Sequence, residues 1–244
     1  MLGFKKYRKI LIGLGMLLLT TKSFSQDPNF YVFLCFGQSN MEGQGPIETQ
    51  DKTVDSRFQV LEALTCSGLN RTQGQWYTAV PPLVRCDTKL GPADYFGRTM
   101  VDSLPSNIKI GVVDVAVAGC DIALFDKVNY ASYAASAPSY MQTAISQYGG
   151  NPYGRLVEMA KIAQKTGVIK GILMHQGETN SGQSDWPQKV KAVYQNLLAD
   201  LGLNAADVPL LVGEVLQGGS CSGHNTIIAT VPSVIPTAHV VSST

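Results

Sequence analysis

The stretch Tyr31-Val32-Phe33-Leu34-Cys35-Phe36-Gly37-Gln38-Ser39-Asn40-Met41 decides how the rest of the chain is read. The apolar run from Tyr31 to Phe36 is continuous rather than alternating, which marks a strand covered on both faces, as in a parallel sheet between helix layers. Gly37 to Asn40 then end the run, so Ser39 sits where a buried strand turns into a helix. A serine placed there has its hydroxyl lifted above the sheet edge. The unpaired N–H groups of the new helix's first turn face any oxyanion formed beside it. The same residues also fit a plainer role, with Ser39 or Asn40 capping a helix.

Four further apolar runs follow, over residues 108–117, 168–174, 208–215 and 238–242. Helical patterns alternate with them. Val190, Val193, Tyr194, Leu197, Leu198 and Leu201 recur every three or four residues after Pro187 and stop at Gly202. Asn151-Pro152 opens a second helix with Leu156, Met159, Ala160 and Ala163 inward and Gly167 as its C-cap. A third starts at Pro92, with Phe96, Met100 and Leu104 on its inner side. This alternation predicts right-handed crossovers and a doubly wound α/β sheet. Two stretches break the rhythm, the loop-rich 43–91 and the irregular Tyr-, Ala- and Ser-rich 126–150. Both emerge at strand C-terminal ends, where ligands bind in such sheets.

Residues 1–25 read as a secretory signal peptide: Lys5, Lys6, Arg8 and Lys9 precede an apolar stretch from Ile10 to Leu19, and Ser23-Phe24-Ser25 offers a cleavage site. The remainder, 26–244, is expected to be one domain, secreted or periplasmic, without a membrane anchor and monomeric. The formal charge of the 244 residues is +1, and removing a basic leader turns the mature chain slightly acidic, which excludes a nucleic-acid surface and favours neutral ligands. Five cysteines in an oxidising compartment leave at least one thiol free. Cys66 and Cys86 bracket a loop and are the disulfide candidates, whereas Cys35 is expected to be a small buried hydrophobe. No cysteine or histidine spacing fits a metal site, since His175 and Glu178 lack a third ligand, and no cofactor is expected.

Chemistry concentrates at three strand ends: Gly37-Gln38-Ser39-Asn40, Ala118-Gly119-Cys120-Asp121 and His175-Gln176-Gly177-Glu178-Thr179-Asn180. A parallel sheet brings its C-terminal ends to one crevice, so these distant segments become neighbours. With these blocks and Leu90 to Arg98, the chain resembles the SGNH/GDSL hydrolases, in particular the sialate O-acetylesterase-like carbohydrate esterases that include acetylxylan esterases. The resemblance implies a flavodoxin-like three-layer α/β/α sandwich on a five-stranded parallel sheet. It implies removal of O-acetyl groups from a polysaccharide, acetylxylan foremost, through an acyl-serine on Ser39. The oxyanion donors would be the Ser39 and Gly119 N–H groups and the Gln176 amide, with Gln38, Asn40 and His175 in support.

That family places its base in an Asp-x-x-His block after the last strand, and this block is absent here. Ile172, Cys221 and Pro236 stand three positions before His175, His224 and His239. The expectation is therefore a chain incomplete at its C-terminus, without its last helix and with little or no activity. His224 is the substitute base on offer, His239 points into a helix-covered face, and either Glu178 or an aspartate beyond Thr244 orients the base. Trp76, Tyr77 and Tyr95 are candidates for stacking on sugars. The alternatives to acetylxylan hydrolysis are a sialate O-acetylesterase and a noncatalytic carbohydrate-binding protein that kept the cleft.

Overall fold

The computed structural model describes residues 26–244, so the expected signal peptide lies outside the described residues. Seven strands form one sheet: β1 (Asp27–Gly37), β2 (Phe58–Leu61), β3 (Trp76–Thr78), β4 (Lys109–Ala116), β5 (Gly167–His175), β6 (Leu210–Gly213) and β7 (Ala238–Val241). Their order is β3-β2-β4-β1-β5-β6-β7, with every neighbouring pair parallel except β2 and β3. The helices are α1 (Ser39–Glu42), α2 (Pro92–Ser103), α3 (Tyr130–Ser136), α4 (Ser139–Gln147), α5 (Pro152–Ala163), α6 (Trp186–Leu201), α7 (Asn225–Ile228) and α8 (Val231–Val234).

The five expected strands appear in the doubly wound order β4-β1-β5-β6-β7, and the strand order reverses at β1. The expected count of five is too low. β2 joins the parallel set beside β4, and β3 folds back on it antiparallel. These strands are only four and three residues long and lie in the glycine- and proline-rich stretch, where turn signals mask so short an apolar run. The stretch 126–150 is likewise not irregular, because it carries α3 and α4.

Alternation along β1 divides the interior. Val32, Leu34 and Phe36 face α5 and α6 with Val113, Val115, Ile172 and Met174 of the flanking strands. Phe33 and Cys35 face α2 and Met41 of α1 with Val112, Ala116 and Leu173. The six periodic residues of α6 are all buried, as are Leu156, Met159, Ala160 and Ala163 of α5. A side chain of this size contributes about 1.5–3 kcal/mol when fully buried.

Gly202, in the left-handed region, ends α6 as expected. By contrast α5 ends at Gln164, and Gly167 starts β5, where an added Cβ would stand 2.6 Å from the carbonyl oxygen of Phe30. In α2 the innermost positions are Ala93, Gly97 and Val101, with Phe96 and Met100 flanking them. Gly97 sets that rotation, since its missing Cβ is the space taken by the Phe58 ring.

Cys66 and Cys86 form the expected disulfide, and Cys35 is buried. His239 departs from expectation. Ala238 turns toward α8 and the main core, so its neighbour His239 projects to the opposite face and is exposed. Among the described residues no helix is long and apolar enough to cross a membrane.

Candidate active site

The site is built at the C-terminal end of β1, where the order of the sheet reverses. Gly37 closes the strand between two neighbours: its carbonyl accepts from Val117 N–H at 3.2 Å, and Gln38 N–H donates to the His175 carbonyl at 3.1 Å. An added Cβ on Gly37 would lie 2.1 Å from the His175 carbonyl oxygen, so only glycine lets the turn sit there. Gln38 is extended, and the chain then coils into α1, with Glu42 N–H on the Gln38 carbonyl at 2.8 Å. Ser39 is the first residue of that turn. Among the described residues, neither its hydroxyl nor its N–H has a hydrogen-bond partner, and its carbonyl accepts from the Gln44 amide at 3.2 Å.

Gly119 follows β4 with φ at +75°, a conformation that glycine adopts freely. Its carbonyl accepts from the Thr179 hydroxyl at 3.0 Å, and among the described residues its N–H is unpaired. The adjoining Cys120 thiol donates to the Gly37 carbonyl at 3.7 Å, which ties this loop to the serine turn. Burial pushes the Cys120 thiol well up, so it stays a neutral packing group.

The loop after β5 is held by two buried glutamines. The Gln38 side-chain oxygen accepts from Gly177 N–H, Thr179 N–H and the Gln176 amide. Gln176 is fully buried and gives its amide hydrogens inward, to the Cys120 carbonyl at 3.1 Å and to Asn180, while its oxygen accepts from the Trp186 indole at 2.6 Å. The three segments named from sequence therefore meet at one sheet edge. Among the described residues Ser39 and Gly119 each carry an unpaired N–H at that edge, whereas the Gln176 amide is engaged in fixing the loop.

Glu178 accepts from the Asn40 amide at 2.6 Å. Its other oxygen is buried without a partner, and His175 Nδ1 lies 3.8 Å from the carboxylate, also unpartnered. His175 Nε2 faces the Glu214 carbonyl at 3.1 Å. His224 is fully buried behind the loop. Its ring stacks edge-on to Trp186, its Nδ1 accepts from Gly182 N–H at 3.3 Å, and its Nε2 lies 3.0 Å from where a Cβ on Gly177 would be. Burial holds the imidazole below its usual value, opposed by the nearby Glu178. Among the described residues, no histidine nitrogen hydrogen-bonds the Ser39 hydroxyl.

Two buried acids beneath the serine escaped the sequence reading. Glu42, one turn after Ser39, accepts from Arg85 at 2.9 Å and from Ala118 N–H at 3.3 Å, and so links α1 to the Gly119 loop. Asp114 is buried beside Cys35 with neither oxygen hydrogen-bonded. Burial first, and the Glu42 charge second, push its carboxyl well up. A lone acid inside the apolar run Gly111-Val112-Val113-Asp114-Val115-Ala116-Val117 was the available signal for it.

A cavity of about 340 Å³ opens next to the serine turn, lined by Asn40, Gln44, Leu90, Pro92, Tyr95 and His175. A second, apolar hollow of about 210 Å³ lies between Met41, Phe96, Leu173, Leu211 and Val241. Among the described residues, no group of three or more His, Cys, Asp or Glu side chains is placed to hold a metal ion.

A family model described as carbohydrate esterase, sialic acid-specific acetylesterase, matches residues 29–244, and the chain belongs to that family. Solved structures share the fold at low identity. A protein from Arabidopsis thaliana is similar with a TM-score of 0.64 at 19% identity, over 88% of this chain and 86% of that one. NanS gives 0.60 at 18% identity, over 88% of this chain and 78% of its own. A carbohydrate acetylesterase from Xanthomonas citri gives 0.54 at 16% identity, over 86% of this chain and 49% of its own.

Proposed function

We propose that this carbohydrate esterase removes O-acetyl groups from a neutral acetylated polysaccharide, acetylxylan foremost, with Ser39 as the nucleophile. The observation that carries the reading is the convergence of the free Ser39 hydroxyl with two unpaired N–H groups, on Ser39 and Gly119, at one sheet edge. Attack on the acetyl carbonyl puts negative charge on its oxygen. Preorganised donors at that point contribute about 3–4 kcal/mol each in acyl-transfer sites. Glu178, held by Asn40, is the acidic partner for a base, and His175 and Gln38 support the loop that carries it.

Attack also needs a base for the Ser39 hydroxyl proton. His224 is buried behind Gly177 and shares no hydrogen bond with Ser39, which weighs against it as the substitute. The Cys66–Cys86 disulfide supports an oxidising location, secreted or periplasmic. Sialate O-acetyl groups are the alternative substrate suggested by the family description. A second reading, a carbohydrate-binding protein without turnover, is favoured because, among the described residues, no histidine hydrogen-bonds Ser39.

The test is acetate release from acetylated xylan and from an O-acetylated sialic acid by the full-length protein and its Ser39→Ala variant. Release from xylan that disappears in the variant supports the reading. Release unchanged by Ser39→Ala, or no release from either substrate, defeats it, and the latter outcome favours the binding protein.

A further inference from the structure

We propose that Tyr95 is the stacking wall of a subsite that seats a neutral pyranose ring beside Ser39. This rests on Ser39 being the site of deacetylation, and it adds which part of the protein grips the sugar and which sugars are refused. Tyr95 is in the first turn of α2 and is 49% exposed, an unusual state for a ring that is nonetheless fixed at two points. Its hydroxyl donates to Asp51 at 2.9 Å, and the Arg98 guanidinium lies 5.6 Å from its centroid.

Arg98 is in turn locked by Asp94 and by the carbonyls of Thr53 and Asp51. Tyr95 lines two hollows, one shared with Arg98, Thr53 and Asp102 and the other with Asn40 and His175, and Arg98 is absent from the second. The ring thus meets a cation in one hollow and borders the cavity next to the serine in the other. An aromatic ring ordered before binding loses little entropy on contact, and its face suits the C–H face of a pyranose.

Polar groups around the cavity fit hydroxyls rather than an acid. Asn40 and Gln44 supply amides, and Leu90 and Pro92 supply apolar wall. No lysine or arginine lines the cavity, and the carboxylate of Glu178 is bonded to Asn40 at its edge. A sugar acid would bring its own carboxylate toward that charge with no lysine or arginine to meet it. The subsite therefore takes an uncharged ring, such as a xylose unit adjoining the acetylated one, and disfavours a sialic acid.

The experiment is calorimetric or NMR titration of the folded full-length protein with xylotriose and, separately, with N-acetylneuraminic acid. Binding is read independently of turnover. Xylotriose should bind, Tyr95→Ala should weaken it about tenfold, and Tyr95→Phe, which keeps the ring but not the Asp51 bond, should stay within about threefold of the parent. Unchanged thermal melting of both variants shows that the fold is intact. Xylotriose affinity indifferent to Tyr95→Ala, absence of xylotriose binding, or tighter binding of the sialic acid overturns the subsite. Acetate release assayed in parallel separates the two readings: Tyr95-dependent binding without any release supports the subsite and sinks the esterase.

Discussion

Asn40 donates its side-chain amide to the Glu178 carboxylate at 2.6 Å, joining the residue after the candidate nucleophile to a loop 138 positions further along. The bond closes the crevice from the Ser39 side and fixes the direction in which Glu178 faces. Replacing Asn40 by aspartate sets two carboxylates against each other at that distance. The Asn40→Asp protein should lose about 1–3 kcal/mol at neutral pH, because the Glu178 oxygen loses its donor and gains a like charge. Urea unfolding of the parent and the variant measures this, and equal stability of the two would show that the bond contributes nothing.

Gly37 and Gly119 should respond differently to the same one-carbon change. Gly37→Ala drives a Cβ into the backbone oxygen of His175, which a strand inside a sheet has no room to move, so a loss above about 4 kcal/mol and insoluble protein are expected. At Gly119 the obstructing atom is the hydroxyl of the exposed Tyr140, which swings aside, and the cost is the positive φ, about 1–2 kcal/mol. Gly119→Ala should therefore fold, with acetate release reduced about 100-fold if its N–H serves the oxyanion. Full activity in a folded Gly119→Ala protein would remove Gly119 from that role.

Asp114 makes stability depend on pH. Its carboxyl is held above the usual range by burial and by Glu42, so its contribution is complete below about pH 4 and is lost as pH rises through the folded-state value. Asp114→Asn abolishes this titration. The variant should melt at a higher temperature than the parent at pH 8, with the gap closing toward pH 4. Melting curves across that interval decide it, and a gap independent of pH would mean the carboxyl is not the source.

The Cys66–Cys86 disulfide closes a loop of 20 residues in sequence separation, for which chain-entropy reasoning gives about 3 kcal/mol. Arg85 precedes Cys86 and holds Glu42, which in turn holds Ala118 beside Gly119. Reduction should lower the melting temperature and, through Arg85, loosen the Gly119 loop. Hydrogen exchange at Ala118 N–H, faster after dithiothreitol treatment, checks the second effect.

Much of this was legible because apolar runs report burial directly. β1, β4, β5, β6 and β7 and the stripes of α5 and α6 emerge from single-element periodicity, and the strand-end blocks follow from parallel geometry. What stayed hidden depends on partners far along the chain. β2 and β3 are too short to show a pattern, and Gly97 sets the rotation of α2 only because Phe58 is opposite it. The Gln176 amide reads as a free donor until Cys120 and Asn180 are seen to occupy it. His239 reads as covered until β7 is seen to turn Ala238 to the core instead.

The position of the serine turn between β4 and β5 also governs when the site comes into being. The ties that join its three segments span long separations in sequence, such as Gln38 to Thr179 at 141 positions and Ala118 to Glu42 at 76. Helices such as α6 can form early from local contacts, but the crevice has no local precursor and assembles only when the central strands zip together. On refolding from urea, sugar binding should thus return in the slowest phase, well behind the recovery of helical circular dichroism.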